Sequence, residues 1–361
     1  MAGNPFRQVL GQPCEPGSEI AGWQAVATLY HNFFTGLILT VASRRGARDV
    51  GDWMFRVFRR QHREKFLSSF GKLGLGGLPD AVASAQYHYL SNMIGGVEVE
   101  YMYEADDKAW LRFCHPRWIY DRAAICAVPV EAGQGYIRGW YAENGVSLGN
   151  PRLGFVCTSQ DTTLQYGFAG YFREYDRDLA PEERYSFAPD EVPPPFDPSA
   201  TPVLDSGDWP AARLHKANRN YAMDYLRNGL PELVAAFGPG DAAALGRHAA
   251  YLIGAQFHGR VARLLGLDRP GAEGFAAFMV AIASASGDRA EWSRDDEAAV
   301  VRQSGWRLAG GVAHPNPALF EAWNGLWQGA LASHDRFLLL DVRSRADRGD
   351  PVFEWRIRPR P

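Results

Sequence analysis

Histidine, cysteine and carboxylate side chains supply most acids, bases, nucleophiles and metal ligands in proteins. Four short stretches before residue 162 bring them together. Phe113-Cys114-His115-Pro116-Arg117-Trp118 sets a thiol beside an imidazole, which offers a nucleophile with its base or two soft metal ligands. Neighbours on a strand point to opposite faces, so the pair shares a site only where Pro116 breaks the alternation; otherwise they are a buried Cys and a hydrogen-bonded His at a strand end. In Gln86-Tyr87-His88-Tyr89-Leu90-Ser91-Asn92, His88 and Asn92 lie one helical turn apart on one face. His88 either joins His115 in a metal site or acid–base pair, or packs among its aromatic neighbours. Glu98, Glu100 and Glu104 share one face of a strand, the first two ~7 Å apart along it. Such carboxylates bind a metal or a cationic substrate, or simply solvate a sheet edge. Finally, Gly154-Phe155-Val156-Cys157-Thr158-Ser159-Gln160-Asp161 is an apolar strand ending in small polar groups. Cys157 is its candidate nucleophile, with Asp161 close by, and is equally a structural core thiol.

The candidate catalytic set is therefore His88, His115, Glu100, Cys157 and Asp161, with Tyr87, Tyr101, Trp118 and Asn92 as substrate-binding candidates. His88, His115 and Glu100 are the candidate ligands of a divalent metal, zinc or iron. Aromatics make up 13% of the chain, enough for both a core and an apolar small-molecule pocket. No G-x-G-x-x-G follows a strand, and no P-loop, G-x-S-x-G, H-E-x-x-H or EF-hand pattern occurs, so no nucleotide cofactor is expected.

Positioning these groups falls to a chain of 361 residues, long enough for about two domains. With 38 basic against 41 acidic residues and a net charge of -3 it has no broad basic field, and no nucleic-acid partner is expected. Cys14, Cys114, Cys126 and Cys157 form no C-x-x-C pair, which fits a reducing, cytoplasmic setting. The start of the chain lacks a secretory pattern. Its apolar run Phe33 to Ala42 covers about ten residues where a span needs roughly 20, so no membrane association is expected.

Seven prolines between Phe187 and Pro210 exclude helix and central strand there. The expected division is a first domain over 1–186, a linker or surface strap over 187–212 and a second domain over 213–361. The halves share an order. Trp53 to Gly71 and Arg247 to Leu264 have helical spacing, followed by Leu73-Gly74-Leu75 and Leu265-Gly266-Leu267, a proline at 79 or 270, and a second helix, Ala81 to Met93 or Gly274 to Ser284. A glycine turn and a hairpin signal follow, Val97 to Phe113 and Ala290 to Gln303, and the halves close on Phe168 to Asp176 and Asp335 to Arg343. Trp118 and Trp306 sit at comparable offsets. Asn144-Gly145 and Asn324-Gly325 read as turns. The expected fold class is α+β: two related, duplicated domains, each with helices packed on an antiparallel sheet.

In this order of helix, Leu-Gly-Leu, Pro, helix, Gly-Gly and Val-Glu-Val-Glu-Tyr-Met-Tyr-Glu hairpin, the first half resembles the bacterial L-2-amino-thiazoline-4-carboxylic acid hydrolase-like family, whose outline is similar to vinyl-reductase-type sensor domains. The likeness covers about residues 25 to 185. Those families commonly carry Gly-Asp, then Cys and an aromatic, in the closing strands; this chain has Gly167-Phe168-Ala169-Gly170-Tyr171-Phe172, without the Cys. The resemblance implies hydrolysis of a C–N or C–S bond in a heterocyclic or amide-like small molecule. The alternative is a protein, like the sensor domains, that holds a small aromatic ligand without chemistry; a third reading is an assembly partner, and a homo-oligomer fits any of them. The second half has no Cys, and Phe278-Met279-Val280-Ala281 stands where the first has His88, so the first half is the expected active one and the second a degenerate copy.

Overall fold

The computed structural model describes residues 9–114, 128–160, 167–204, 208–312 and 314–361. The chain forms two compact α+β units with two separate sheets. One unit is built on Ala42–Leu214, the other on Pro13–Val41 together with His215–Pro361. The division thus differs from the proline-based one, because most of the first long helix, α1 (Glu19–Arg45), belongs with the C-terminal residues. Helix α1 is long and apolar enough to cross a membrane, but 78% of its most apolar window is buried inside the protein.

In the first unit, α2 (Ala47–Lys72) and α3 (Asp80–Ile94) precede the hairpin β1 (Val99–Ala105) and β2 (Lys108–Phe113). Then come α4 (Val130–Trp140), the 3-10 turn Tyr141–Glu143 and α5 (Asn144–Leu148), followed by β3 (Leu153–Ser159), β4 (Ala169–Glu174) and the short β5 (Tyr185–Phe187). The sheet order is β1-β2-β4-β3-β5, antiparallel except where β5 runs parallel to β3. Alternation along the strands turns Tyr101, Phe155 and Phe172 toward the helices. Met102, Trp110, Val156 and Tyr171 form a cluster on the opposite face, packed against Ala188 and Phe196 of the proline-rich segment. Glu191 ties that segment down, accepting from Tyr171 Oη at 2.7 Å and Lys108 Nζ at 3.1 Å. The segment is a strap that seals one sheet face.

The second unit follows α1 with α6 (Ala211–Leu264), broken at Gly238, then α7 (Gly271–Ser286), β6 (Arg289–Asp295) and β7 (Ala298–Ser304). Helix α8 (Pro317–His334) and the pair β8 (Leu338–Ser344) and β9 (Phe353–Pro359) complete it, in the order β6-β7-β9-β8. This is the same helix, hairpin, helix, hairpin order and the same strand arrangement as β1-β2-β4-β3. Local details recur with it. Gly46 (φ 97, ψ 172) and Gly238 (φ 81, ψ 164) break the helices at matching places, where positive φ favours glycine. Gly74 (φ 69) and Gly266 (φ 67) turn the two Leu-Gly-Leu segments. Ser159 Oγ donates to Gly167 O at 2.7 Å and Ser344 Oγ to Val352 O at 2.8 Å, each beside a shift in strand register.

Two sequence expectations need correction. The strand that corresponds to β4 is β9, not the Asp335 to Arg343 run, because β9 and β4 each sit between the hairpin and the last-paired strand. The two Asn-Gly pairs are not turns: Asn144-Gly145 opens α5 and Asn324-Gly325 lies inside α8. Burial overrides turn preference there, since both asparagines hydrogen-bond inside the core.

Each unit brings one helix onto the backbone of another through Gly-x-x-x-Gly. A Cβ on Gly135 or Gly139 of α4 would lie 2.3 Å from Gly51 O or 2.5 Å from Phe55 O of α2. On Gly325 and Gly329 of α8 it would lie 2.6 Å from Arg247 O and 1.9 Å from Tyr251 O of α6. Gly329→Ala is therefore expected to force the helices apart and cost at least about 2 kcal/mol, read as a lower urea midpoint; an exposed control, Gly240→Ala, which meets no neighbour, should not show that loss.

Candidate functional site

Helix α3 delivers His88 to the helix-covered face of the first sheet, where the ring is 1% exposed. It stacks on Phe172 at 5.4 Å with a 5° tilt and lies 3.8 Å from the Tyr141 ring. The Asn144 amide nitrogen is 2.9 Å from His88 Nε2 and the amide oxygen 3.3 Å. Asn92 Nδ2 donates to His88 O at 2.7 Å and to Tyr141 Oη at 3.4 Å, and Tyr136 Oη donates to Tyr141 Oη at 3.1 Å. Tyr87 closes the edge, T-shaped to His88 at 5.0 Å. His88, Asn92 and Tyr87 are thus brought together, with Asn144 and Tyr141 as unforeseen partners, in a sealed polar knot inside aromatic packing.

Glu100 does not join them. It is on the opposite face of the sheet, paired with Arg112 Nε at 2.5 Å, while Glu104 takes Trp110 Nε1 at 2.5 Å and Lys108 at 3.3 Å. The strand's two-residue period decides this: Tyr101 meets α3 through Gln86, so its neighbour Glu100 points away. A metal held jointly by His88 and Glu100 does not fit this geometry. Among the described residues no three His, Cys, Asp or Glu side chains converge on a metal position. His115, Trp118 and Asp161 lie outside the described residues.

The two described thiols among the site candidates, Cys114 and Cys157, are respectively held in the neutral form and sealed. Burial, then Glu100 and Glu98, push the Cys114 thiol up to about 12. Cys157 is fully buried, donates to Ser159 O at 3.3 Å, and sits beside Tyr185, whose phenol burial raises. His62, which no sequence motif marks, stacks on Phe66 at 4.5 Å and meets Ser147 Oγ at 2.9 Å. Burial, then Arg59 and Arg63, lower its pKa to about 3. In the second unit burial, then His334, lower His258 to about 4.

The second unit holds a recess of about 630 Å³ at the N-terminus of α1, the first turns of α6 and the Gly287 turn after α7. Lys216, Arg219 and Arg307 line it with Trp23, Leu267 and a single carboxylate, Glu19. Lys216 Nζ and the Arg219 guanidinium each lie 5.9 Å from the Trp23 ring centroid. Arg219 is 4% exposed and donates only to neutral oxygens, Ala285 O at 2.7 Å and Asn220 Oδ1 at 2.8 Å. Arg307 Nη2 reaches the same Asn220 Oδ1 at 3.2 Å. Burial, then Arg307, lower the Arg219 pKa to about 10 against the opposing pull of Glu19, so it stays charged at neutral pH. Gly287, at φ 94, leaves the room that Arg307 occupies, since a Cβ there would be 2.9 Å from its Nη1. A signal for this site was present in the sequence. Arg219 interrupts the buried stripe His215, Ala222 and Leu226 of α6, a helix position that normally carries an apolar residue.

No family model matches the chain, and no curated protein or solved structure matches it.

The neutral, buried His62 carries a pH dependence with a definite sign. Its folded pKa lies below the unfolded value near 6.5, so between about pH 6.5 and 3 the unfolded chain binds the extra proton and stability falls as pH falls. The slope contributed is up to about 1.4 kcal/mol per pH unit. Urea unfolding at pH 7, 6, 5 and 4 should give a shallower decline for His62→Gln than for the native chain.

Proposed function

We propose that this protein binds a small organic molecule without transforming it, and that its two units are copies of one α+β plan of which the second carries the binding recess. The observation that supports binding is the recess itself: its volume falls in the range of small-molecule sites, and it combines apolar walls with a few converging polar groups. The repeated strand order and the paired glycine breaks support the duplication.

Hydrolysis of a C–N or C–S bond, which the resemblance implies, has less support. Its general base would be an imidazole 1% exposed beneath aromatic rings, and its thiol either Cys114, strongly disfavoured as a thiolate, or the sealed Cys157. An activated cysteine needs a lowered pKa and access, whereas Cys114 has a raised pKa and Cys157 has no access. The binding reading also reverses the expected asymmetry: the unit that holds most of the cysteine-free second half becomes the functional one.

Two measurements on the purified chain test this. A library of small heterocycles and amides, followed by mass spectrometry, is expected to show no turnover above the uncatalysed rate. The same library is expected to contain compounds that raise Tm, since a ligand at 100-fold its Kd adds about 2.7 kcal/mol of stability. Turnover that disappears in both His88→Gln and Cys157→Ser, while each variant remains folded, would establish the hydrolase instead.

A further inference from the structure

We propose that the recess of the second unit is an anion site, and that its ligand is a small organic carboxylate or phosphate ester with an apolar body. This rests on the binding reading above and adds the chemistry of the ligand.

The carrying observation is a charge imbalance. A buried guanidinium is costly unless an opposite charge pairs with it. Arg219 is buried, and among the described residues no carboxylate forms an ion pair with it, with Arg307 or with Lys216; Glu19 attracts Arg219, and Asp288 attracts Arg307, only without direct side-chain contact. Arg219 and Arg307 instead converge on one amide oxygen, that of Asn220, which brings two like charges together. Asp288, a nearby half-buried acid, is already engaged: Oδ1 accepts from the Arg307 backbone N–H at 2.9 Å and Oδ2 from Gln303 Nε2 at 3.1 Å. Burial raises its pKa as well. Glu19, the one acid of the lining, is exposed and belongs to the first turn of α1, where the helix dipole already favours it. Three cations against one carboxylate line this recess in a chain whose net charge is -3.

The donors suit an anion in number and form. After their bonds to Asn220, Ala285 and Ser286, both guanidinium groups keep N–H donors, and Lys216 adds an ammonium. Planar guanidinium forks match carboxylate and phosphate oxygens. Gly17, Ser18 and Glu19 set the start of the 27-residue helix α1 at the same recess, so its N-terminal dipole adds to the field. Leu267 and Trp23 supply the apolar wall for the rest of the ligand.

The test uses matched probes on the full chain: benzoate and phenyl phosphate against their neutral counterparts benzamide and benzyl alcohol, followed by thermal shift and calorimetric titration. Both anions, or one of them, are expected to bind and the neutral probes to bind at least about 10-fold more weakly; which anion binds tighter separates carboxylate from phosphate ligands. The affinity should fall as salt is raised from 0.05 to 0.5 M, which are about the bounds within which screening changes strongly. Arg307→Gln and Lys216→Gln, both at exposed positions, are each expected to weaken anion binding about 10-fold with little change in the unliganded Tm. Arg219→Met is expected to abolish anion binding; if it fails to fold, the two exposed variants decide. Equal binding of neutral and charged probes, or anion binding unchanged in the Arg307 and Lys216 variants, overturns the anion assignment and leaves the binding reading standing. Absence of binding by every probe, together with no stabilising compound in the wider library, overturns both.

Discussion

Contact between helix backbones through glycine is the constraint on which both units depend. In each, a Gly-x-x-x-Gly face lies directly on carbonyl oxygens of a long helix, with no side chain between them. Such close approach fixes the depth at which the helix after the first hairpin enters the unit. That depth in turn decides which of its side chains reach the sheet. In the first unit the helix carries Tyr136 and leads into Tyr141 and Asn144, which therefore arrive over His88. In the second it carries Asn324 to Trp355 Nε1 at 2.9 Å and Trp323 to Tyr30 Oη at 3.4 Å. Both cores are consequently aromatic, with a single asparagine of that helix segment meeting the polar group beneath it.

This packing gives the two units different chemical characters. In the first, the polar groups around His88 bond mainly to one another. His88, Asn92, Asn144, Tyr136 and Tyr141 bond to one another and are shut in by Phe155 and Phe172. A buried network that meets its own hydrogen-bonding needs specifies a core and leaves little for a substrate. The strap across the other sheet face works in the same direction, covering Trp110 and Tyr171.

The second unit carries the opposite arrangement. Its core is equally apolar, yet at the α1 terminus three cations and one carboxylate, Glu19, line a recess. Arg219 sits in a core position of α6, and the glycine at 287 makes space for a second guanidinium beside it. Packing alone would favour an apolar residue at 219. An uncompensated buried charge reduces stability, and function is a physical reason for a protein to keep it.

Most of the elements and their order are legible in the residue order alone. The two-residue alternation of Val99, Tyr101 and Tyr103 against Glu98, Glu100 and Glu104 sets the strand and its faces, and the Leu-Gly-Leu and proline punctuation places the helix ends. These signals are local, arising from backbone geometry and from which face meets water, so they can be read without knowing a partner. The strand β9 and the helical state of Asn144-Gly145 escaped, because neighbouring elements rather than local preference decide them. Only the tertiary structure decided the sites. It set Glu100 and His88 on opposite sides of a sheet, sealed Cys157, and gathered Trp23, Lys216, Arg219 and Arg307 from stretches nearly 300 residues apart in the chain. Whether a charge is paired depends on which distant backbone and side chains reach it, and residue order alone does not contain that distance.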